Sequence, residues 1–148
     1  MATIDQIIAD FDLLDDWEDR YRYLIELGRA LPPMPEAEHT EANRVRGCAS
    51  QVWLVTRPEP ADGATVMHFR GDSDALIVRG LVAVALALFD GKSPEDIRNI
   101  DAEKVFDRLD LRAHLTAQRS NGLRALVERI RAEAASAVRS TRQSMDGR

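Results

Sequence analysis

The sequence predicts an α+β fold, with helices at both ends of the chain around a small antiparallel sheet of three short strands. Two observations carry this. Apolar residues recur at helical spacing before residue 32 and again after residue 73. Between these regions the period changes: Gln51 to Arg57 and Thr65 to Arg70 are rich in β-branched and aromatic residues. A chain of 148 residues suits one domain with a sizeable core. No repeat or interdomain linker interrupts it, so residues 1–138 are expected as a single domain. Residues 139–148 are polar and without pattern, and they are expected as a flexible tail.

Thr3-Ile4-Asp5-Gln6 has the form of a capping box. Ile4, Ile7, Ile8, Phe11 and Leu14 then mark the inner face of a first helix. Asp16 is placed to cap a second helix, lined by Trp17, Tyr21, Leu24, Ile25, Gly28 and Leu31 and ended by Pro32-Pro33. Residues 32–43, rich in Pro and Glu, read as a loop. Arg44-Val45-Arg46 is expected to add the third strand. Pro58-Glu59-Pro60-Ala61-Asp62-Gly63 is turn chemistry between the other two, making an antiparallel hairpin. Ser73 or Asp74 should cap a central helix running to about Phe89, apolar nearly all round and therefore buried. Gly91 is a plausible stop for it. Ser93-Pro94 opens a short helix, Asp101 another through Leu109, and Thr116 the last long one, whose inner face holds Leu123, Leu126, Val127, Ile130 and Ala134.

Composition narrows the functions. The formal net charge is −5, against a general affinity for nucleic acid. Acidic residues concentrate before residue 42 and basic ones after 111, an asymmetry that can steer a protein partner or simply mark two solvated helix faces. The longest unbroken apolar run, Leu81 to Phe89, is far short of the ~20 residues of a membrane span, and no targeting segment is visible. One cysteine cannot form an internal disulfide, which points to a reducing, cytoplasmic setting.

That cysteine, Cys48, is the one reactive candidate. A lone cysteine is often just a small buried apolar residue. Cys48, however, follows Gly47, falls between predicted strands, and is flanked by Arg44, Arg46, Ser50 and Gln51. A thiol on a loop near arginines has its thiolate favoured by charge. Cysteine-protease chemistry needs a histidine base, and the spacing of His39, His68 and His114 suggests no dyad, although sequence leaves a spatial pairing open. One cysteine and three scattered histidines do not make a zinc site, and no Cys-x-x-Cys pair is present. What remains is to accept a group, hold it, and pass it on by thiol exchange.

Four segments in order then carry a family resemblance: Leu27-Gly28-Arg29-Ala30-Leu31-Pro32; Gly47-Cys48-Ala49-Ser50-Gln51-Val52-Trp53-Leu54; Gly71-Asp72-Ser73-Asp74-Ala75 with Ile77-Val78-Arg79-Gly80-Leu81; and Leu115-Thr116-Ala117-Gln118-Arg119-Ser120-Asn121-Gly122-Leu123. The chain resembles the SufE family over about residues 3 to 137. SufE proteins are sulfur acceptors that work beside cysteine desulfurases in iron–sulfur cluster assembly. The resemblance implies the α+β fold shared with U-type cluster scaffolds, and it matches Cys48 to the cysteine that takes sulfur as a persulfide. It implies a SufS-type desulfurase as donor, stimulated by this protein, and the SufBCD complex as recipient. The pyridoxal phosphate belongs to the desulfurase, so no cofactor or metal is expected here.

Around Cys48, the resemblance places Gly47, Ser50 and Gln51 in the reactive loop. Gly47 lowers the cost of moving that loop, and Cys48 at rest is expected to pack in apolar surroundings and swing out. Arg119 reads either as a solvated helix-start arginine or as a docking residue near the loop. Asp72 and Asp74 read first as caps of the central helix, with partner docking second. Gly122 costs ~1 kcal/mol in a helix interior relative to Ala, and a close helix–loop approach would compensate. Other readings stay open: a CsdE-like partner of a CsdA-type desulfurase, an activator that docks without taking sulfur, and a U-type scaffold, against which the single cysteine argues.

Overall fold

A computed structural model describes residues 2–146, and side chains as far as Arg139. Helices α1 (Ile4–Leu13) and α2 (Trp17–Arg29) lead through a 3-10 turn at Glu36–Glu38 to strands β1 (Val52–Ala61) and β2 (Ala64–Ser73). The central helix α3 (Leu76–Phe89) follows, then α4 (Pro94–Asn99), α5 (Ala102–Arg108), α6 (Leu111–His114) and the long α7 (Ala117–Asp146).

Except at the central helix, the predicted caps form where the sequence places them. The Thr3 hydroxyl accepts from the Gln6 N–H at 3.2 Å while the Thr3 N–H donates to Gln6 Oε1 at 3.0 Å, closing the capping box. Asp16, Ser93 and Asp101 cap α2, α4 and α5 with side-chain oxygens, and Thr116 Oγ1 accepts from the Arg119 N–H at 3.2 Å as α7 begins. α7 continues as helix through Asp146, into the segment expected as a tail; residues 147 and 148 lie outside the described residues.

α3 is the axis of the core. Residues 80–86, Leu88 and Phe89 are all buried on it, and burying each large side chain stabilises the fold by roughly 1.5–3 kcal/mol. α2, β2 and α7 pack around it. Two glycines let α2 come close: a Cβ at Gly80 would lie 2.1 Å from the Leu24 carbonyl oxygen, and one at Gly28 2.7 Å from the Gly80 nitrogen. This backbone contact is why a helix breaker sits in the most buried helix.

The sheet departs from expectation in two ways. It has two strands among the described residues, not three. Arg44 makes a single antiparallel bridge with Trp53. A turn at residues 41–43 precedes it and Gly47, at φ +91°, ends it, which leaves no length for a ladder. The hairpin is also longer than predicted, and its loop is only Asp62-Gly63, at φ +48° and +79°, as a two-residue primed turn requires. Pro58 and Pro60 therefore lie inside β1. Pro58 is paired with Met67, whose N–H points away from β1 to the Lys92 carbonyl at 2.8 Å. That pair exchanges no hydrogen bond, so the missing N–H of proline costs nothing there, and Pro60 shares the same outward edge.

The start of α3 corrects a third expectation. Its N-cap is Ala75, and no side chain caps it. Ser73 Oγ accepts from the Ala75 N–H at 3.3 Å, while Asp72 and Asp74 turn to other partners.

Candidate functional site

Cys48 lies on a loop that links a short strap, residues 41–46, to β1. The strap is held to β1 by two backbone hydrogen bonds of 2.8 Å, from the Val45 N–H to the Val52 carbonyl and from the Leu54 N–H to the Asn43 carbonyl. Gly47 then turns the chain at φ +91°, in the left-handed region that favours glycine. Beyond the cysteine, Gln51 is tied to the head of α3. Its N–H donates to Asp74 Oδ1 at 3.0 Å, and its carbonyl accepts from the Asp74 N–H at 3.3 Å. Residues 47–50 thus span between two fixed points. Asp74, expected as a helix cap, is instead the outgoing anchor of this loop.

The thiol of Cys48 points inward and is half-buried. It donates to the Gly122 carbonyl across 3.5 Å and lines a cavity of about 250 Å³. Val78, Leu81 and Val82 of α3 and Leu123 and Leu126 of α7 give that cavity apolar walls. Ser50, Gln118 and Arg119 supply polar ones. Helix and loop do meet at Gly122, as the sequence suggested, but a Cβ there would lie 3.4 Å from Sγ, an ordinary contact that does not itself demand glycine. Of the residues predicted for the site, Gly47, Ser50 and Arg119 are gathered around Cys48. Gln51 is exposed and joins through its backbone alone.

Burial and charge act on the thiol in opposite directions. Burial pushes the Cys48 thiol up from its ordinary value, and Arg44 pulls it down by less. Arg44 favours the thiolate, as its place beside the cysteine in sequence suggested, but burial outweighs it and disfavours the charged form at rest.

No histidine lines this cavity among the described residues. His68 faces Glu59 at 3.0 Å and His114 stacks on Trp17 at 3.9 Å. His39 holds Asp72 at 2.7 Å and Glu36 at 3.1 Å and packs on Trp53. Asp72 also faces Arg79 at 3.4 Å, so it too serves this cluster rather than a cap. No group of three His, Cys, Asp or Glu side chains suited to a metal ion occurs among the described residues. None of the described helices is long and apolar enough to cross a membrane.

Sequence reading missed Asp74 as a loop anchor, and it missed Val78, Leu81 and Val82 as cavity walls. The uniform apolarity of α3 signalled burial but not which face meets the cysteine.

Known proteins share this arrangement of chain. Residues 5–134 match the family model described as "SufE: Fe-S metabolism associated domain". An uncharacterized SufE-like protein of Rhizobium etli is 57% identical over 134 residues, 90% of each chain. Another, of Rhizobium meliloti, is 54% identical over 134 residues, 90% of this chain and 96% of the relative. The solution structure of a hypothetical protein from Thermus thermophilus superposes with a TM-score of 0.67 at 24% identity, covering 91% of this chain and 95% of the other. At that identity it supports the fold alone.

Proposed function

The chain belongs to the SufE family, whose domain is associated with iron–sulfur metabolism, and from that premise we propose that it accepts sulfur on Cys48 as a persulfide from a cysteine desulfurase and hands it on. The observation that carries this reading is the placement of the chain's one thiol. It sits in a small cavity with apolar walls from α3 and α7 and a polar side, with space around it, on a four-residue span that begins at a left-handed glycine.

The chemistry needs two environments. In the cavity, burial disfavours the thiolate and would shield a terminal sulfur from water and oxidants. When the loop leaves the cavity, that desolvation is lifted while Arg44 stays on the adjoining strap, so the thiol becomes more acidic as it meets its donor. The Cys48 thiolate then attacks the outer sulfur of the desulfurase persulfide. A new S–S bond forms at Cys48, the old one breaks, and its electron pair leaves on the desulfurase cysteine, which takes up a proton. No net oxidation or reduction occurs. The loop's return to the cavity shelters the product.

On the same reading the donor is a SufS-type desulfurase, stimulated because its persulfide is unloaded, and the recipient is the SufBCD scaffold; a CsdA-type donor fits the same chemistry. The deciding experiment compares sulfide release by a desulfurase with wild-type protein and with Cys48→Ser. Stimulation by the wild type and none by the variant is expected. Equal stimulation by both would replace the carrier with an activator that only docks.

A further inference from the structure

The side chain of Arg129 reaches from α7 to the strap. Nη2 donates to the Ala42 carbonyl at 2.7 Å and Nη1 to the Arg44 carbonyl at 3.1 Å. Nε is held by Glu133 at 2.8 Å, one helical turn on. The opposite edge of the strap is the one bonded to β1. The guanidinium therefore supplies the donors that a further strand would have brought to the outer edge.

Three contacts run in order along one face of α7. Arg129 meets the carbonyls of Ala42 and Arg44, Ala125 lies where a Cβ on Gly47 would reach it at 3.3 Å, and Gly122 lies against Cys48. These positions are four and three residues apart, the spacing of helix neighbours. The strap and loop thus run antiparallel to α7, and the fork of Arg129 sets their register. A shift of the strap by one residue would exchange carbonyls for N–H groups at the guanidinium and carry the thiol past Gly122.

We propose that Arg129 is a positioning residue: it fixes the base of the Cys48 loop on α7, so that the loop moves about Gly47 and returns the sulfur to the same cavity. This rests on the carrier reading of Cys48. Lysine cannot replace the fork, because a single ammonium group does not present two coplanar donors to two carbonyls.

The test is the alkylation rate of Cys48 by iodoacetamide in the full chain, followed across pH for the wild type, Arg129→Lys and Arg131→Lys. Arg131 is the control, since it donates to the Ile100 carbonyl at 2.8 Å, away from the strap. Arg129→Lys should alkylate about tenfold faster, because losing a charge-assisted hydrogen bond shifts an opening equilibrium by about that factor. Its pH midpoint should also fall toward the ordinary thiol value. Arg131→Lys should match the wild type even where its melting temperature drops. Should Arg129→Lys fail to fold, Glu133→Gln, which loosens the guanidinium, should show a smaller rise. Wild-type rates and an unchanged profile in the Arg129 variant, or an equal rise in the Arg131 control, overturn the proposal. The assay uses no desulfurase, so it separates failure of this proposal from failure of the carrier reading, which would appear as no sulfur on the wild-type protein.

Discussion

Gly122 stands directly against Cys48: a Cβ on the glycine would lie 3.4 Å from the cysteine Sγ and 3.7 Å from its Cβ. These are ordinary contact distances, so the approach leaves room for one methyl group and no more.

Gly122→Ala should therefore raise stability by up to about 1 kcal/mol, the helix-propensity difference, while Cys48 stays slow to alkylate. Gly122→Val adds branches where the sulfur rests and should displace the loop, raising the alkylation rate several-fold. Thermal melting and timed iodoacetamide labelling check both. A lower melting temperature for Gly122→Ala would mean the contact is tighter than the geometry shows.

The thiol's acidity gives a second expectation. Burial raises its pKa and Arg44 opposes that rise, so the alkylation pH profile of the folded protein should have its midpoint above that of a free cysteine. Arg44→Gln should move it further alkaline, whereas Arg46→Gln should leave it in place. A wild-type midpoint at or below the ordinary thiol value would contradict the sheltered resting state.

His39 supplies a pH dependence of stability. Its hydrogen bond to Asp72 raises its pKa most, and Glu36 adds to this against the effect of burial. A group whose folded-state value is raised stabilises fully below its unfolded value, about 6.5 for histidine, and that contribution is lost as pH rises through the higher folded value. The urea midpoint of the protein should thus exceed that of His39→Gln most at about pH 6, and the gap should close toward pH 8 and above. A gap that widens with pH would reverse the assignment.

Much of this architecture was legible where local chemistry decides it. The capping box of Thr3 and Gln6, the Asp16, Ser93 and Asp101 caps and the buried α3 all follow from short-range rules that tertiary contacts left intact. Cys48 was legible as a loop residue because Gly47 and the period change bracket it. The misreadings share another cause. Pro58 and Pro60 signal a turn unless their neighbours show that their nitrogens face an outer edge, which depends on Lys92 bonding Met67 from far along the chain. Asp72 and Asp74 look like caps until His39, Arg79 and the Gln51 N–H compete for them. Arg44 and Arg46 suggest a thiolate until partial burial against α3 and α7 outweighs their charge. Arg129 carried no local signal, because its partners are backbone carbonyls some 85 residues away in the chain.

The most direct test is intact-mass analysis after incubation with a cysteine desulfurase and free cysteine. Sulfur carriage on Cys48 predicts a gain of one sulfur atom, removed by a reductant, mapped to the peptide holding Cys48 and absent from Cys48→Ser. A desulfurase that turns over and is stimulated while the mass of this protein stays unchanged would contradict it.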